Sequence, residues 1–158
     1  MLHDIFSKIT KQSKSKNKIK PKIIIDIHEK NSLIISELKY SNEVDLEIKH
    51  LEIGDYLIGN IAIERKTIND LVSSIISKRI LSQIDNLQNY EKRLLIIEGD
   101  LKDLNENINL NPKIIQGFIL SCMLNHNINI LQTADYKDTS QYLIILAKQQ
   151  LKPKTEIS

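Results

Sequence analysis

Apolar and polar positions along the chain change period several times, and each change marks an element. Ile23-Ile24-Ile25 is a short continuous apolar run ending at Asp26, the pattern of a strand covered on both faces. Residues 32 to 40 read as a short helix capped by Asn31 or Ser32, and Leu46 to Lys49 alternate as a strand. Tyr56 to Ile58 and Ile61 to Ile63 flank Gly59-Asn60, a two-residue hairpin signal. Ile68, Leu71, Val72, Ile75, Ile76, Ile80, Leu81, Ile84 and Leu87 then recur at steps of three and four. They predict one long amphipathic helix capped by Thr67. A buried strand follows at Leu94 to Glu98, a helix opens at Asn111-Pro112, and Ile128 to Leu131 form a further short strand. The last helix is expected to begin near Asp138-Thr139. Its run from Tyr142 to Ala147 points all the way round, so one side can face a sheet and the other a partner. This succession predicts an α/β fold.

The hairpin fixes a register with chemical content. A loop of Gly59-Asn60 sets Tyr56 against Ile63 and places Asp55 directly opposite Glu64. Side chains alternate along a strand, so Lys66 shares the face of Glu64 while Arg65 points the other way with Ile63. Opposed carboxylates repel unless something positive lies between them, and a divalent cation is the simplest candidate. Mg²⁺ suits a few carboxylates completed by waters and phosphates. Asp26, at the end of its strand, stands where open α/β sheets place their sites.

Composition narrows the picture. The chain has 158 residues, enough for one domain, and its 41% hydrophobic and 27% charged content is ordinary for a globular protein. No apolar run is long enough for a membrane span, and the start has no apolar signal segment, so an intracellular protein is expected. In a prokaryote it would be cytoplasmic and nucleoid-associated. The single Cys122 excludes an internal disulfide and reads as a small buried side chain. Seven lysines against one aspartate give the first 22 residues a charge of +6, whereas the remainder has 15 basic against 19 acidic residues. Residues 1–21 are therefore expected to be a disordered basic tail able to attract phosphates, ahead of a domain at 22–152 and a short tail at 153–158.

The ordered set Gly54-Asp55, Glu64-Arg65-Lys66 and Asp70 resembles the G-D and E-R-K-x-x-x-D motif of PD-(D/E)XK nucleases. More narrowly it resembles the XPF-type structure-specific endonucleases, including archaeal XPF and Hef-like nuclease domains. Asp26-Ile27-His28-Glu29 is similar to that family's D-x-R-E, Arg79 to Gln83 to its G-R-x-x-x-Q, and Leu95 to Gly99 to its strand ending in an acid. The likeness runs from about Lys22 to Leu151. It implies a restriction-endonuclease-like PD-(D/E)XK fold, with a central mixed sheet flanked by helices. It also implies hydrolysis of phosphodiester bonds in branched double-stranded DNA (forks, 3′ flaps, nicked junctions) during repair or replication-fork processing.

On this resemblance the catalytic set is Asp26, Asp55, Glu64, Lys66 and Asp70. Mg²⁺, with Mn²⁺ able to substitute, would be held by Asp55, Glu64 and the backbone carbonyl of Arg65. Arg65, Arg79 and Gln83 would meet DNA, and Glu98 would join the same pocket. The expected assembly is a homodimer, or a heterodimer with a DNA-binding subunit. Relatives mostly carry a helix-hairpin-helix domain that this chain lacks, which fits a stand-alone nuclease, a fragment, or a subunit that borrows DNA binding. A catalytically silent dimer partner or DNA-binding scaffold is the alternative function. A junction resolvase or restriction-type enzyme fits Arg79 and Gln83 poorly. Two positions depart from the family: His28 replaces an arginine, and Lys78 replaces a glycine, where it is expected to stiffen the helix.

Overall fold

The computed structural model describes residues 18–104 and 110–152. Six strands form one mixed sheet: β1 (Lys22–Asp26), β2 (Asp45–Lys49), β3 (Tyr56–Ile58), β4 (Ile61–Thr67), β5 (Lys92–Glu98) and β6 (Asn129–Thr133). Their order across the sheet is β2-β1-β3-β4-β5-β6. β1 runs parallel to β2, the pairs β1/β3 and β3/β4 are antiparallel, and β4/β5 and β5/β6 are parallel.

Helices cover both faces, which is why β1 and β5 read as continuous apolar runs. α1 (Leu33–Ser41) and α5 (Tyr136–Leu151) bury Ile34, Ile35, Leu38, Leu143, Ile144 and Ala147 with Ile23, Ile25, Tyr56, Ile63 and Ile96. On the opposite face, α2 (Ile68–Ile76), α3 (Arg79–Leu87) and α4 (Pro112–Asn125) enclose Ala62, Leu95 and Ile97. Cys122 lies in this second layer, where burial pushes its thiol up to about 11 and leaves it inert. No helix among the described residues is long and apolar enough to cross a membrane.

Local chemistry accounts for most boundaries. The Thr67 hydroxyl accepts from the Asp70 N–H at the start of α2, and Asn111 caps α4 with Pro112 in its first turn. α5 starts at Tyr136, a little before the expected Asp138, because Asp135 rather than Asp138 is its cap; Asp135 accepts the Asp138 N–H.

The long helix expected from Ile68 to Leu87 is instead two. Lys78, at φ 60°, breaks it in the left-handed region. Periodicity misses the break because two helices in sequence can each keep an apolar face to the same core. The position of Lys78 therefore requires a turn, and the lysine does not stiffen a helix. Residues 1–17 and 153–158, which hold most of the expected tails, lie outside the described residues. Among the described residues ahead of Lys22, Lys20 donates to Asn42 Oδ1 at 2.7 Å and the Pro21 carbonyl accepts from the Asp45 N–H.

Candidate active site

The hairpin has the expected register: Ile58 pairs with Ile61, Leu57 with Ala62 and Tyr56 with Ile63. Gly59, at φ 58°, supplies the positive angle of the turn. The regular ladder stops there, so the expected direct pair of Asp55 with Glu64 does not form. The Asp55 N–H donates to the Ile63 carbonyl at 2.8 Å, so two residues stand against one as in a β-bulge. Gly54 precedes it at φ 76°, and a Cβ there would lie 3.0 Å from the Ile63 carbonyl oxygen. The bulge turns the Asp55 carboxylate along the strand, where Oδ2 accepts the Arg65 N–H at 2.8 Å.

The acids nonetheless share a face. Ala62, Glu64 and Lys66 alternate toward the α2/α3 side, and Lys66 Nζ lies 3.9 Å from Glu64 Oε1 with both side chains largely enclosed. Burial raises the Glu64 carboxyl first, the Asp55 charge raises it further, and Lys66 only partly opposes them. Its pKa is pushed up to about 8. Burial likewise raises Asp55 to about 6, against the lowering effect of the Arg65 N–H.

Asp26 joins from β1, where its N–H donates to the Asp55 carbonyl at 2.8 Å. It is a buried carboxylate. Burial pushes its pKa up, but the N–H of Leu51 and the contacts from His28 outweigh that and hold it below the ordinary value. This cluster of hard oxygen donors with one lysine fits a hard divalent cation.

A cleft of about 170 Å³ opens beside it, lined by Lys66, Asp70, Ser73, Ser74, Arg79 and Gln83. It exists because α2 ends at Ile76 and α3 restarts at Arg79, so the two helices wall it from different directions. Asp70 is exposed at its rim, and the buried Gln83 Oε1 has no protein partner. Ser73 and Ser74 were not anticipated from sequence. Their signal is a pair of adjacent hydroxyls three and four positions after Asp70, interrupting the apolar run from Leu71 to Ile76.

One expected neighbour lies elsewhere. Arg65 faces the opposite side of the sheet, as the alternation along β4 predicts, and there Nε and Nη2 grip the two Glu98 carboxylate oxygens at 2.8 and 2.6 Å. Glu98 also accepts the Thr139 hydroxyl at 2.8 Å, so it belongs to this brace against α5 rather than to the pocket of Asp55 and Glu64. The correction follows from strand alternation: Leu95 and Ile97 face α2 to α4, which sends Ile96 and Glu98 the other way. Glu29 sides with the brace, accepting the hydroxyl of fully buried Tyr56 at 3.0 Å and lying 3.9 Å from Arg65 Nη1.

Comparison with known proteins converges on one family. The ERCC4 domain model matches residues 25–146. The 3′-flap repair endonuclease Xpf of Saccharolobus solfataricus is 32% identical over 129 residues, 80% of this chain and 54% of that protein. A Methanocaldococcus jannaschii protein described as an ATP-dependent RNA helicase is 41% identical over 139 residues, 86% of this chain but 17% of its own length. Among solved structures, XPF from Aeropyrum pernix in complex with DNA superposes with a TM-score of 0.77 at 27% identity, covering 87% of this chain and 69% of that one. The chain thus spans about half the length of one curated relative and a smaller part of the other.

Proposed function

Because the chain belongs to the ERCC4 domain family and has the fold of XPF nucleases, we propose that it is a metal-dependent, structure-specific DNA endonuclease. The carrying observation is the convergence of Asp55, Glu64 and Lys66 on one face, beside a cleft lined by Arg79 and Gln83. Asp55, Glu64 and the main-chain carbonyl of Arg65 would hold Mg²⁺, or Mn²⁺ in its place. Bound there, the ion supplies Lewis acidity toward the phosphate and acidifies a water.

The protein groups do the rest. The Arg65 N–H fixes one Asp55 oxygen, which orients the carboxylate. Lys66 orients or deprotonates the attacking water, or stabilises charge developing on the phosphate. Asp26 ties its strand to Asp55 through the backbone, and Asp70 shapes the cleft rim. Arg79 and Gln83 receive backbone phosphates. A silent scaffold gains nothing from two enclosed carboxyls that burial pushes up and that lie close enough for the Asp55 charge to raise Glu64 further, so this arrangement favours catalysis over the scaffold reading.

The Saccharolobus relative is named for 3′ flaps, which makes branched duplex DNA the substrate to try first. Selectivity would rest on duplex shape and phosphate contacts. The test is cleavage of labelled fork, 3′-flap, nicked-junction and linear duplex DNA with Mg²⁺. Branched substrates should be cut in preference to linear duplex, and Asp55→Asn should abolish cutting. Failure to cut any branched substrate would return the scaffold as the better account.

A further inference from the structure

Asp26, which adjoins Asp55 in the proposed site, also belongs to a second cluster of ligand-type side chains whose two other members, His28 and His50, have no part in the proposed chemistry. β1 and β2 run parallel with Asp26 in register with Lys49, so the residues after each strand lie side by side. His28 follows the first and His50 the second. His28 Nδ1 is 2.7 Å from Asp26 Oδ2, and His50 Nδ1 is 3.8 Å from Asp26 Oδ1. One ligand atom from each of the three residues falls within 4.8 Å of the others. The imidazole rings stand 6.2 Å apart at 72°.

We propose that Asp26, His28 and His50 form a binding site for a borderline first-row cation such as Zn²⁺, distinct from the oxygen site of Asp55 and Glu64. Tetrahedral Zn²⁺ with bonds of about 2.1 Å needs ligand atoms about 3.4 Å apart. The two contacts to Asp26 bracket that value, and both imidazoles are exposed, so modest side-chain rotations reach it. Asp26 is already fixed: backbone N–H groups of Leu51 and His28 donate to its two oxygens at 2.8 and 3.2 Å. Such outer contacts orient a ligating carboxylate. With both histidines at the solvent edge, the ion would have an entry path and room for water in its remaining positions. Two imidazoles favour Zn²⁺, Co²⁺ or Ni²⁺ over Mg²⁺, which prefers oxygen alone. The Asp26 N–H also bonds to the Asp55 carbonyl, so the two sites share a stretch of backbone. The inference rests on this geometry and not on nuclease activity.

Co²⁺ is the probe, followed by its visible absorption and by calorimetry in excess Mg²⁺. The wild type should bind one Co²⁺, displaceable by Zn²⁺. His28→Ala and His50→Ala should each weaken binding by more than the roughly 10–100-fold that loss of an outer contact costs. His3→Ala, His126→Ala and Glu64→Gln should retain it. The two exposed histidines can be replaced without opening the core, and an unchanged circular dichroism spectrum checks that. Absence of binding in the wild type would overturn the proposal. So would binding that survives the His28/His50 double substitution, or that disappears in Glu64→Gln alone.

Discussion

Glu64 is the residue on which stability and proposed activity pull in opposite directions. Burial and the Asp55 charge hold its proton in the folded protein up to about 8, well above the ordinary carboxyl value. At this group the folded state therefore binds more protons than the unfolded chain between those two values, so the Glu64 contribution to metal-free stability is greatest on the acid side and is lost as pH rises through about 8. Glu64→Gln should flatten that decline and stabilise the metal-free protein above it by about 1–2 kcal/mol after allowance for screening, as read from thermal melts across pH. Mg²⁺ should reverse the trend in the wild type, stabilising it more as pH rises, because the ligands must lose their protons to bind. A wild-type melting profile that climbs with pH in the absence of metal would contradict this account. Asp55 shows how far sequence could reach at this scale. Its face and its proximity to Glu64 were legible from the alternation of β4. Its contact with the Arg65 N–H was not, because the bulge depends on backbone angles around Gly54.

At the scale of elements, the break between α2 and α3 makes the cleft and carries strain. A lysine at φ 60° is disfavoured by roughly 1–2 kcal/mol relative to glycine, and glycine loses part of that advantage to its greater freedom when unfolded. Lys78→Gly should therefore stabilise the protein by about 0.5–1 kcal/mol in chemical denaturation. Destabilisation would show that the side chain has a role the turn does not require. Helix existence was legible from period and caps, but this break was not, since nothing in a lysine announces a left-handed angle. The brace from β4 to α5 makes the opposite demand. Arg65→Ala leaves Glu98 buried without its partner and should cost about 3–5 kcal/mol of stability. If Arg65 acted mainly on DNA, the substitution would instead weaken binding with little change in the melt.

The whole molecule places a carboxylate pocket, a basic cleft edge and a lysine-rich leading segment in one chain. Each lysine that neutralises a phosphate steepens the salt dependence of binding, so deleting residues 1–17 should reduce the slope of log affinity against log salt while leaving the preference for branched DNA intact. α5 leaves Tyr142 and Ile145 about two-fifths exposed beside Leu94, Ile96, Leu131 and Leu146. The homodimer expected from the family resemblance would use that apolar surface, so the wild type should sediment as a dimer and Ile145→Asp as a monomer, whereas a monomeric wild type would remove the expectation.

Single-turnover cleavage of a labelled 3′ flap reads whether the Asp55/Glu64 face cuts DNA. The wild type should cut only with Mg²⁺ or Mn²⁺, and Glu64→Gln should remain folded, bind the flap and cut at least about a thousandfold more slowly, given what a metal-assisted attack contributes to such a barrier. Cleavage by Glu64→Gln at the wild-type rate would contradict it.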